Sequence, residues 1–251
     1  MDNTTVIEQC CLKENLRVRK PTEGPEIDLV RRFVEDVCNR NAHSSRRTRE
    51  IVFLEPRIDS GYPDIVIAHY DDSVLDDWSL DRALLSDTEL RILSYLVQRH
   101  CGLYEDDLTQ TLGFSMSRMT ESLQLLADCH MVNRIGKRWK AAGRSSFLGI
   151  RKLVTIEAKM SSAASALSQA FRNTRFASHS YVLLGSSHPT TKTCEAYERL
   201  GVGLLASSRF EEIVKPEKHM LPGCYVTLQF NEWIGRSLID STNGLRNQES
   251  A

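Results

Sequence analysis

The chain has 251 residues, of which 41% are hydrophobic and 26% are charged, and these fractions exclude an intrinsically disordered protein. Its formal net charge of −1 excludes a global attraction to nucleic acid, so any basic surface must be local. No apolar run reaches the roughly 18 residues of a membrane span, and the N-terminus lacks a signal-peptide pattern. Seven cysteines without a CxxC pair predict reduced thiols in a cytoplasmic protein with no membrane contact.

The first 70 residues predict an arm, a helix and a hairpin. Residues 1–22 are polar and of mixed charge, and we expect a flexible arm there. A helix opens at Pro25, and Glu26 in its first turn either complements the helix N-terminus or belongs to a functional site. Residues 50–69 read as two apolar strands around a turn. Asp64, at the start of the second strand, is either a turn residue or a functional acid.

Residues 84–143 carry a separate pattern of three short helices followed by a hairpin. Ser86, with Glu89 three residues later, is a capping start for the first helix. Gly136 predicts a tight turn between two short strands. The second of these strands contains Trp139, which we expect to pack beneath the hairpin.

Residues 153–175 read as a strand, a turn and a helix. Side chains alternate between the two faces of a strand, so Glu157 and Lys159 point the same way. An acid and a lysine on one face are costly to bury, unless the acid holds a metal and the lysine faces an anion. Two carboxylates, Asp64 and Glu157, are ligands suited to Mg²⁺ or Mn²⁺.

The remaining chain continues the alternation of strands and helices. Residues 179–184 predict a strand, 191–200 a helix and 201–206 a short buried strand. With the earlier strands, this order predicts an α/β fold with a mixed sheet flanked by helices. No GxxxxGK[ST] motif occurs, so we expect no nucleotide cofactor. Residues 241–251 are expected to be a disordered tail.

The pair formed by Pro63-Asp64 and Glu157-Ala158-Lys159 resembles the motif of the PD-(D/E)XK (restriction-endonuclease-like) nuclease superfamily. The resemblance implies a discontinuous nuclease-like domain made of residues 23–70 and 146–240. It implies that Asp64 and Glu157 bind the metal and that Lys159 stabilises charge on the phosphate. The further residues carried over from the family are Glu26 and Gln169 as catalytic residues and Arg172 as a phosphate contact.

Residues 84–143 resemble a winged helix-turn-helix domain inserted into that nuclease-like domain. The resemblance implies that the third helix and the hairpin, or wing, contact DNA. The residues expected to do so are Ser117 and Arg118 on the helix, and Lys137, Arg138 and Lys140 on the wing. The alternative is a winged helix that binds protein or serves as a spacer.

These features together predict a metal-dependent endonuclease that hydrolyses DNA phosphodiester bonds, with the winged helix aiding substrate binding. The alternative is a non-catalytic DNA-binding regulator, or an interaction subunit, built on a nuclease-like scaffold. A homodimer or a partner subunit is compatible with either function, because cutting both strands of a duplex needs two sites or two visits.

Overall fold

A computed structural model of the chain describes residues 4–7, 23–42, 49–59, 61–71, 73, 78–99, 101–161, 163–186 and 188–248. Its contacts divide the chain into two compact units. The first, called the α/β unit, comprises Met1–Tyr70 and Ile150–Pro222. The second, called the helical unit, comprises Asp71–Gly149 and Gly223–Ala251.

The described helices and strands follow one another along the chain. In order they are β1 (Thr4–Ile7), α1 (Pro25–Ala42), β2 (Arg49–Leu54), β3 (Ile65–Tyr70), a 3-10 helix (Leu80–Leu84), α2 (Asp87–Val97), β4 (Leu103–Tyr104), α3 (Glu105–Leu112), α4 (Met116–Asp128), β5 (Val132–Ile135), β6 (Arg138–Ala141), α5 (Arg144–Phe147), β7 (Ile150–Lys159), α6 (Ala163–Asn173), β8 (His179–Leu184), α7 (Thr191–Arg199), β9 (Gly203–Ala206), β10 (Glu211–Val214) and α8 (Tyr225–Gln248).

The α/β unit contains a seven-stranded sheet in the order β1-β2-β3-β7-β8-β9-β10. Strands β2, β3 and β7 pair antiparallel, whereas β7, β8 and β9 pair parallel. The edge strands β1 and β10 pair parallel and antiparallel with their neighbours, respectively. The sheet is therefore mixed and flanked by helices, and the predicted α/β class is confirmed at this level.

Apolar side chains cover both faces of this sheet. On one face, Val154, Ile156 and Ala158 of β7 belong to the core cluster that α1 completes. On the other face, Val182 and Leu184 of β8 join a core cluster with α6 and α7. Because side chains alternate along β7, Glu157 points to the α6 side of the sheet. Both clusters place buried apolar side chains directly around the end of β7.

The helical unit contains the predicted helices and hairpin. Ser86 caps the N-terminus of helix α2, and Glu89 completes the capping box, as predicted. Helix α3 ends at Gly113, whose φ of 73° lies in the left-handed region that favours glycine. Strands β5 and β6 are joined at Gly136, whose φ is 62°. Together with β4 they form a three-stranded sheet in the order β4-β6-β5.

Helix α8 is an element that the sequence did not predict, and a buried polar network holds it in the helical unit. The guanidinium of Arg82 donates to Glu232 Oε1 at 2.6 Å, and the Trp78 indole donates to Glu232 Oε2 at 3.2 Å. The side chain of Asn231 donates to the Phe147 carbonyl oxygen at 2.9 Å. Both Asn231 and Glu232 are only 1% exposed, so these bonds satisfy polar groups that would otherwise be buried without partners.

Several predicted boundaries differ from the structure. Residues 4–7 of the expected arm form β1, paired with β2, while 1–3 and 8–22 lie outside the described residues. Residues 146–149 and 223–240, expected in the nuclease-like domain, belong to the helical unit. Helix α8 continues to Gln248 through much of the expected disordered tail, residues 241–251. Within the described part of the chain, no helix is both long and apolar enough to cross a membrane.

Candidate active site

Two acids meet where β3 begins and β7 ends. Strands β3 and β7 are antiparallel with Ile65 opposite Ile156, so continuing the register by one residue sets Asp64 opposite Glu157. The amide of Ala158 donates to Asp64 Oδ2 at 2.7 Å, which fixes the Asp64 carboxyl against β7. Asp64 is half-buried, and Glu157 is only 5% exposed. The sheet therefore joins two acids that are 93 positions apart in the chain (157 − 64).

Lys159 and Glu26 form an ion pair at this end of the sheet. The ammonium of Lys159 lies 2.9 Å from Glu26 Oε2. The Lys159 side chain is 21% exposed, whereas that of Glu26 is 48% exposed. Glu26 lies in the first turn of α1, as predicted, and its carboxylate accepts a hydrogen bond from the Lys159 ammonium. The structure thus brings Asp64, Glu157, Lys159 and Glu26 to the same end of the sheet.

Helix α6 lies against the Glu157 side of the sheet. The amide of Asn173 donates to Glu157 Oε1 at 2.7 Å, and Asn173 is buried. Gln169, one helical turn earlier, is half-buried, and its Oε1 is a buried atom without a hydrogen-bond partner in the described part of the chain. Arg172 is exposed, and its charge lowers the pKa of Glu157. Of the two predicted α6 residues, Arg172 acts on Glu157 through its charge. The α6 residue that bonds to Glu157 is Asn173, which was not predicted.

The surroundings of the two acids disfavour their ionised forms. Burial, and then the charge of Asp64, raise the pKa of Glu157 to about 7, against the lowering effects of Asn173, Lys159 and Arg172. Burial also raises the pKa of Asp64, although the Ala158 amide and Lys159 oppose it. The protein's own cations and donors therefore do not fully compensate two clustered carboxylates.

The pKa of Lys159 is raised as well, and for a lysine a raised pKa favours the charged form. Burial alone would lower its pKa, but the hydrogen bond from its ammonium to Glu26 and the charges of Asp64 and Glu157 raise the pKa overall. The side chain is therefore a stable cation at neutral pH. A fixed ammonium beside two acids can face an anionic group of a substrate.

Two buried residues of this site, Glu55 and Asn173, are not among the predicted ones. Glu55 has a φ of 45° and is 5% exposed, its amide donates to the Asp64 carbonyl oxygen at 3.0 Å, and its charge raises the pKa of Asp64. An acid at the end of the apolar run Ile51–Leu54 is the signal that could have found Glu55. For Asn173, the signal is its spacing of four residues from Gln169, which puts both on one helix face.

The chemistry of the donor set fits a hard divalent cation. Two carboxylates with raised pKa values are the groups whose ionised forms a bound cation would stabilise. Oxygen ligands of this kind are those that Mg²⁺ and Mn²⁺ prefer. Among the described residues, no group of three or more His, Cys, Asp and Glu side chains is arranged to hold one metal ion. The set that fits is therefore Asp64 and Glu157, completed by other oxygen donors.

Two residues predicted to contact DNA from α4 have partners within the helical unit. Arg118 donates to Glu89 Oε1 at 2.8 Å, an ion pair in which Arg118 is 44% exposed and Glu89 is buried. The hydroxyl of Ser117 donates to Glu121 Oε1 at 3.1 Å along the same helix. Arg118 thus links α4 to the N-terminus of α2, and this contact occupies part of its guanidinium.

The three predicted hairpin residues Lys137, Arg138 and Lys140 are all exposed. The guanidinium of Arg138 lies 4.8 Å from the centre of the Tyr104 ring, a cation–π arrangement. Trp139 is 5% exposed, so it packs beneath the hairpin as predicted. The hairpin therefore presents its cations to solvent around a buried aromatic anchor.

The chain was compared with protein-family models, curated proteins and solved structures. No protein-family model matches the chain, no curated protein matches it, and no solved structure matches it.

Proposed function

We propose that this protein is a metal-dependent endonuclease that hydrolyses DNA phosphodiester bonds. In this proposal the α/β unit has a restriction-endonuclease-like fold and residues 84–143 are an inserted winged helix that aids DNA binding. The observation that carries the proposal is the convergence of Asp64, Glu157 and Lys159 at one end of the sheet. Their two carboxylates and one ammonium suit a divalent cation and a phosphate, respectively.

Each residue has a role that follows from its contacts. Asp64 and Glu157 would hold Mg²⁺ or Mn²⁺, and a cation bound there supplies Lewis acidity toward the scissile phosphate. Lys159, kept protonated by Glu26 and the two acids, stabilises the negative charge that builds on the phosphate during hydrolysis. Asn173 is a positioning residue, because it holds one oxygen of Glu157. Glu26 is also a positioning residue, because it orients the Lys159 ammonium.

The proposal is tested by incubating the purified protein with supercoiled plasmid, linear duplex, single-stranded DNA and RNA. Each substrate is assayed with Mg²⁺, with Mn²⁺ and with excess chelator. We expect cutting of DNA only in the presence of a divalent cation. Removing a preorganised charge at the reacting centre costs roughly 10²- to 10³-fold in rate, so Lys159→Ala should reduce cutting by about that factor. Asp64→Asn should abolish it.

The matched control for Lys159→Ala is Lys192→Ala, which removes one exposed lysine from α7. We expect this variant to cut DNA at the wild-type rate. Cutting that survives in chelator would overturn the proposed active site. So would cutting by Lys159→Ala and Asp64→Asn at the wild-type rate.

A non-catalytic DNA-binding role is the second candidate function, and one observation favours it. The predicted catalytic groups already have protein partners: Asp64 accepts from the Ala158 amide, Glu157 accepts from Asn173, and Lys159 pairs with Glu26. A scaffold that no longer cuts DNA could retain these contacts. DNA binding by wild-type protein, with no cutting of any substrate in any metal, would support this role over the nuclease.

A further inference from the structure

The exposed polar side chains of α4 are bonded to acids of the helical unit. Besides the Ser117–Glu121 pair, Gln124 donates to Asp128 Oδ1 at 2.8 Å, and the Thr120 hydroxyl donates to Glu105. The guanidinium of Arg118 is held by Glu89. The face of α4 is therefore closed by internal bonds that involve four acids. Of these, Glu89 is buried and paired with Arg118, whereas the charges of the exposed Glu121 and Asp128 and the half-buried Glu105 repel a phosphate backbone.

The adjacent helix α3 adds further negative charge. Asp106 and Asp107 are exposed in its first turn, next to Glu105. A helix that reads bases in the major groove must first approach the phosphates on either side of the groove. The α3–α4 surface presents mainly acids for that approach.

The three-stranded sheet of the same unit carries the opposite charge. Its register sets Tyr104 and Ile135 beside Arg138 in one row, and Asn133 beside Lys140 in the next row. Side chains directly opposite each other on paired strands share a face. These five residues therefore form one exposed surface, which we call the outer sheet face, and Lys137 extends it at the hairpin turn.

The outer sheet face combines cations with exposed hydrophobic side chains. Residues 132–141 contain four Lys or Arg residues and no acid. Tyr104 is 43% exposed and Ile135 is 63% exposed. Arg138 stacks on the Tyr104 ring at 4.8 Å, which holds its guanidinium in place. Asp107 of α3 is the acid whose charge acts on Arg138, and this cation remains exposed.

We propose that the helical unit binds the phosphate backbone of duplex DNA through the outer sheet face and Lys137, and not through base reading by α4. The inference deepens the proposed function and rests on it, because it assumes a DNA substrate. Charge complementarity identifies the occupant, since the exposed cations of the hairpin attract the anionic phosphates of DNA. The acidic α3–α4 surface of the same unit repels them. Phosphate contacts carry no sequence information, so the helical unit should make binding sequence-independent.

The test is fluorescence anisotropy of labelled duplexes with the full-length protein in chelator, so that no cutting occurs. Two duplexes of unrelated sequence are compared in wild type and in the double variant Lys137→Gln/Lys140→Gln. Each phosphate contact contributes about one unit to the slope of log affinity against log salt concentration. We expect the slope of the double variant to fall by about two and its affinity to fall roughly tenfold, equally for both duplexes.

Two comparisons make the test specific. The matched control Lys192→Gln/Arg199→Gln removes two exposed cations from α7 and should bind as wild type does. Gln124→Ala removes an exposed polar side chain from α4 and should also leave binding unchanged. All variants are first checked for wild-type circular dichroism and melting temperature.

The inference is overturned if the hairpin double variant binds as tightly as wild type. It is also overturned if Gln124→Ala weakens binding to one duplex and not to the other, or if wild type binds neither duplex. Failure of the proposed nuclease activity is a separate result, because cutting is measured with metal and binding without it.

Discussion

Glu157 shows how a single buried acid links stability to the proposed chemistry. Its pKa is raised from 4.5 to about 7. A carboxyl with a raised pKa in the folded state binds more protons there than in the unfolded chain. Its contribution to stability is therefore present below about pH 4.5 and is lost as pH rises through 7. The ionised acid costs stability at alkaline pH unless a cation compensates it.

Replacing this acid by its neutral isostere should stabilise the protein. Glu157→Gln keeps an acceptor for Asn173 and removes the ionisation, whose cost at pH 8 is on the order of 3 kcal/mol for a shift of this size. We expect the variant to melt several degrees above wild type at pH 8 without divalent cations, and the difference to vanish near pH 4.5. Melting curves at both pH values check this, and equal melting temperatures at pH 8 would contradict the raised pKa.

Asn173 is the residue that holds Glu157 in place. Its amide holds Glu157 Oε1 at 2.7 Å, and loss of a hydrogen bond to a metal ligand costs about 10- to 100-fold in metal affinity. We therefore expect Asn173→Ala to bind Mn²⁺ about tenfold more weakly than wild type in calorimetric titrations. Thr174→Ala, at the next position, is the control and should titrate like wild type. Equal affinities in all three proteins would rule out a positioning role.

At the scale of elements, one buried acid organises the junction of α2 and α4. Glu89 is 1% exposed and accepts hydrogen bonds from the Ser86 amide, from the Ser86 and Ser122 hydroxyls and from Arg118. Burial alone would raise its pKa, but the bonds from Ser122 and Ser86 lower it overall. A carboxyl of this kind stabilises the folded state above its unfolded pKa of about 4.5, and that stability is lost as pH falls through its folded pKa.

We therefore expect Glu89→Gln to destabilise the helical unit at pH 7. The cost of leaving buried donors poorly satisfied is about 1–3 kcal/mol. The difference from wild type should shrink as pH falls below 4.5 and through the lowered folded-state pKa of Glu89. Denaturant titrations followed by circular dichroism in a pH series from 7 downward measure it, with the exposed Glu121→Gln as control. A difference that is the same at every pH would show that the ionisation of Glu89 does not stabilise the unit.

The elements that the sequence predicted are those with a local physical signal. The capping residues Ser86 and Glu89 and the turn at Gly136 each specify backbone geometry from a few neighbours. Helix α8 was missed because Asn231 and Glu232 are buried polar residues that interrupt its apolar stripe, and only their distant partners explain them. The role of Asn173 was missed for a similar reason, since its bond depends on how α6 lies against β7.

At the scale of the whole molecule, a strand pair explains how distant residues form one site. Strands β3 and β7 are adjacent and antiparallel, and Tyr70 pairs with Ile150 where the chain leaves and re-enters the sheet. The segment between them, 71–149, belongs to the helical unit. The segment that separates Asp64 from Glu157 thus leaves the sheet and returns to it at paired residues, and an insertion is tolerated where chain ends lie close. The contribution of residues 223–248 to the helical unit was not predictable from local sequence.

The division into units predicts that damage to one unit stays within it. Breaking a buried ion pair by removing one partner costs about 3–5 kcal/mol, and Glu232→Ala removes the partner of Arg82. We expect faster amide hydrogen exchange throughout 78–149 and 225–238, with unchanged exchange in β3, β7 and β8. Glu198→Ala, an exposed acid of α7, should exchange like wild type. Loss of protection in the seven-stranded sheet would show that the two units unfold together.

Binding of one divalent cation by Asp64 and Glu157 together can be seen by anomalous diffraction from crystals of the protein grown with Mn²⁺. We predict one strong anomalous peak within about 2.0–2.5 Å of an oxygen of each acid, and no peak there in crystals of Asp64→Asn. A peak at another position, with Asp64 and Glu157 still hydrogen-bonded only to protein groups, would contradict the proposed metal site.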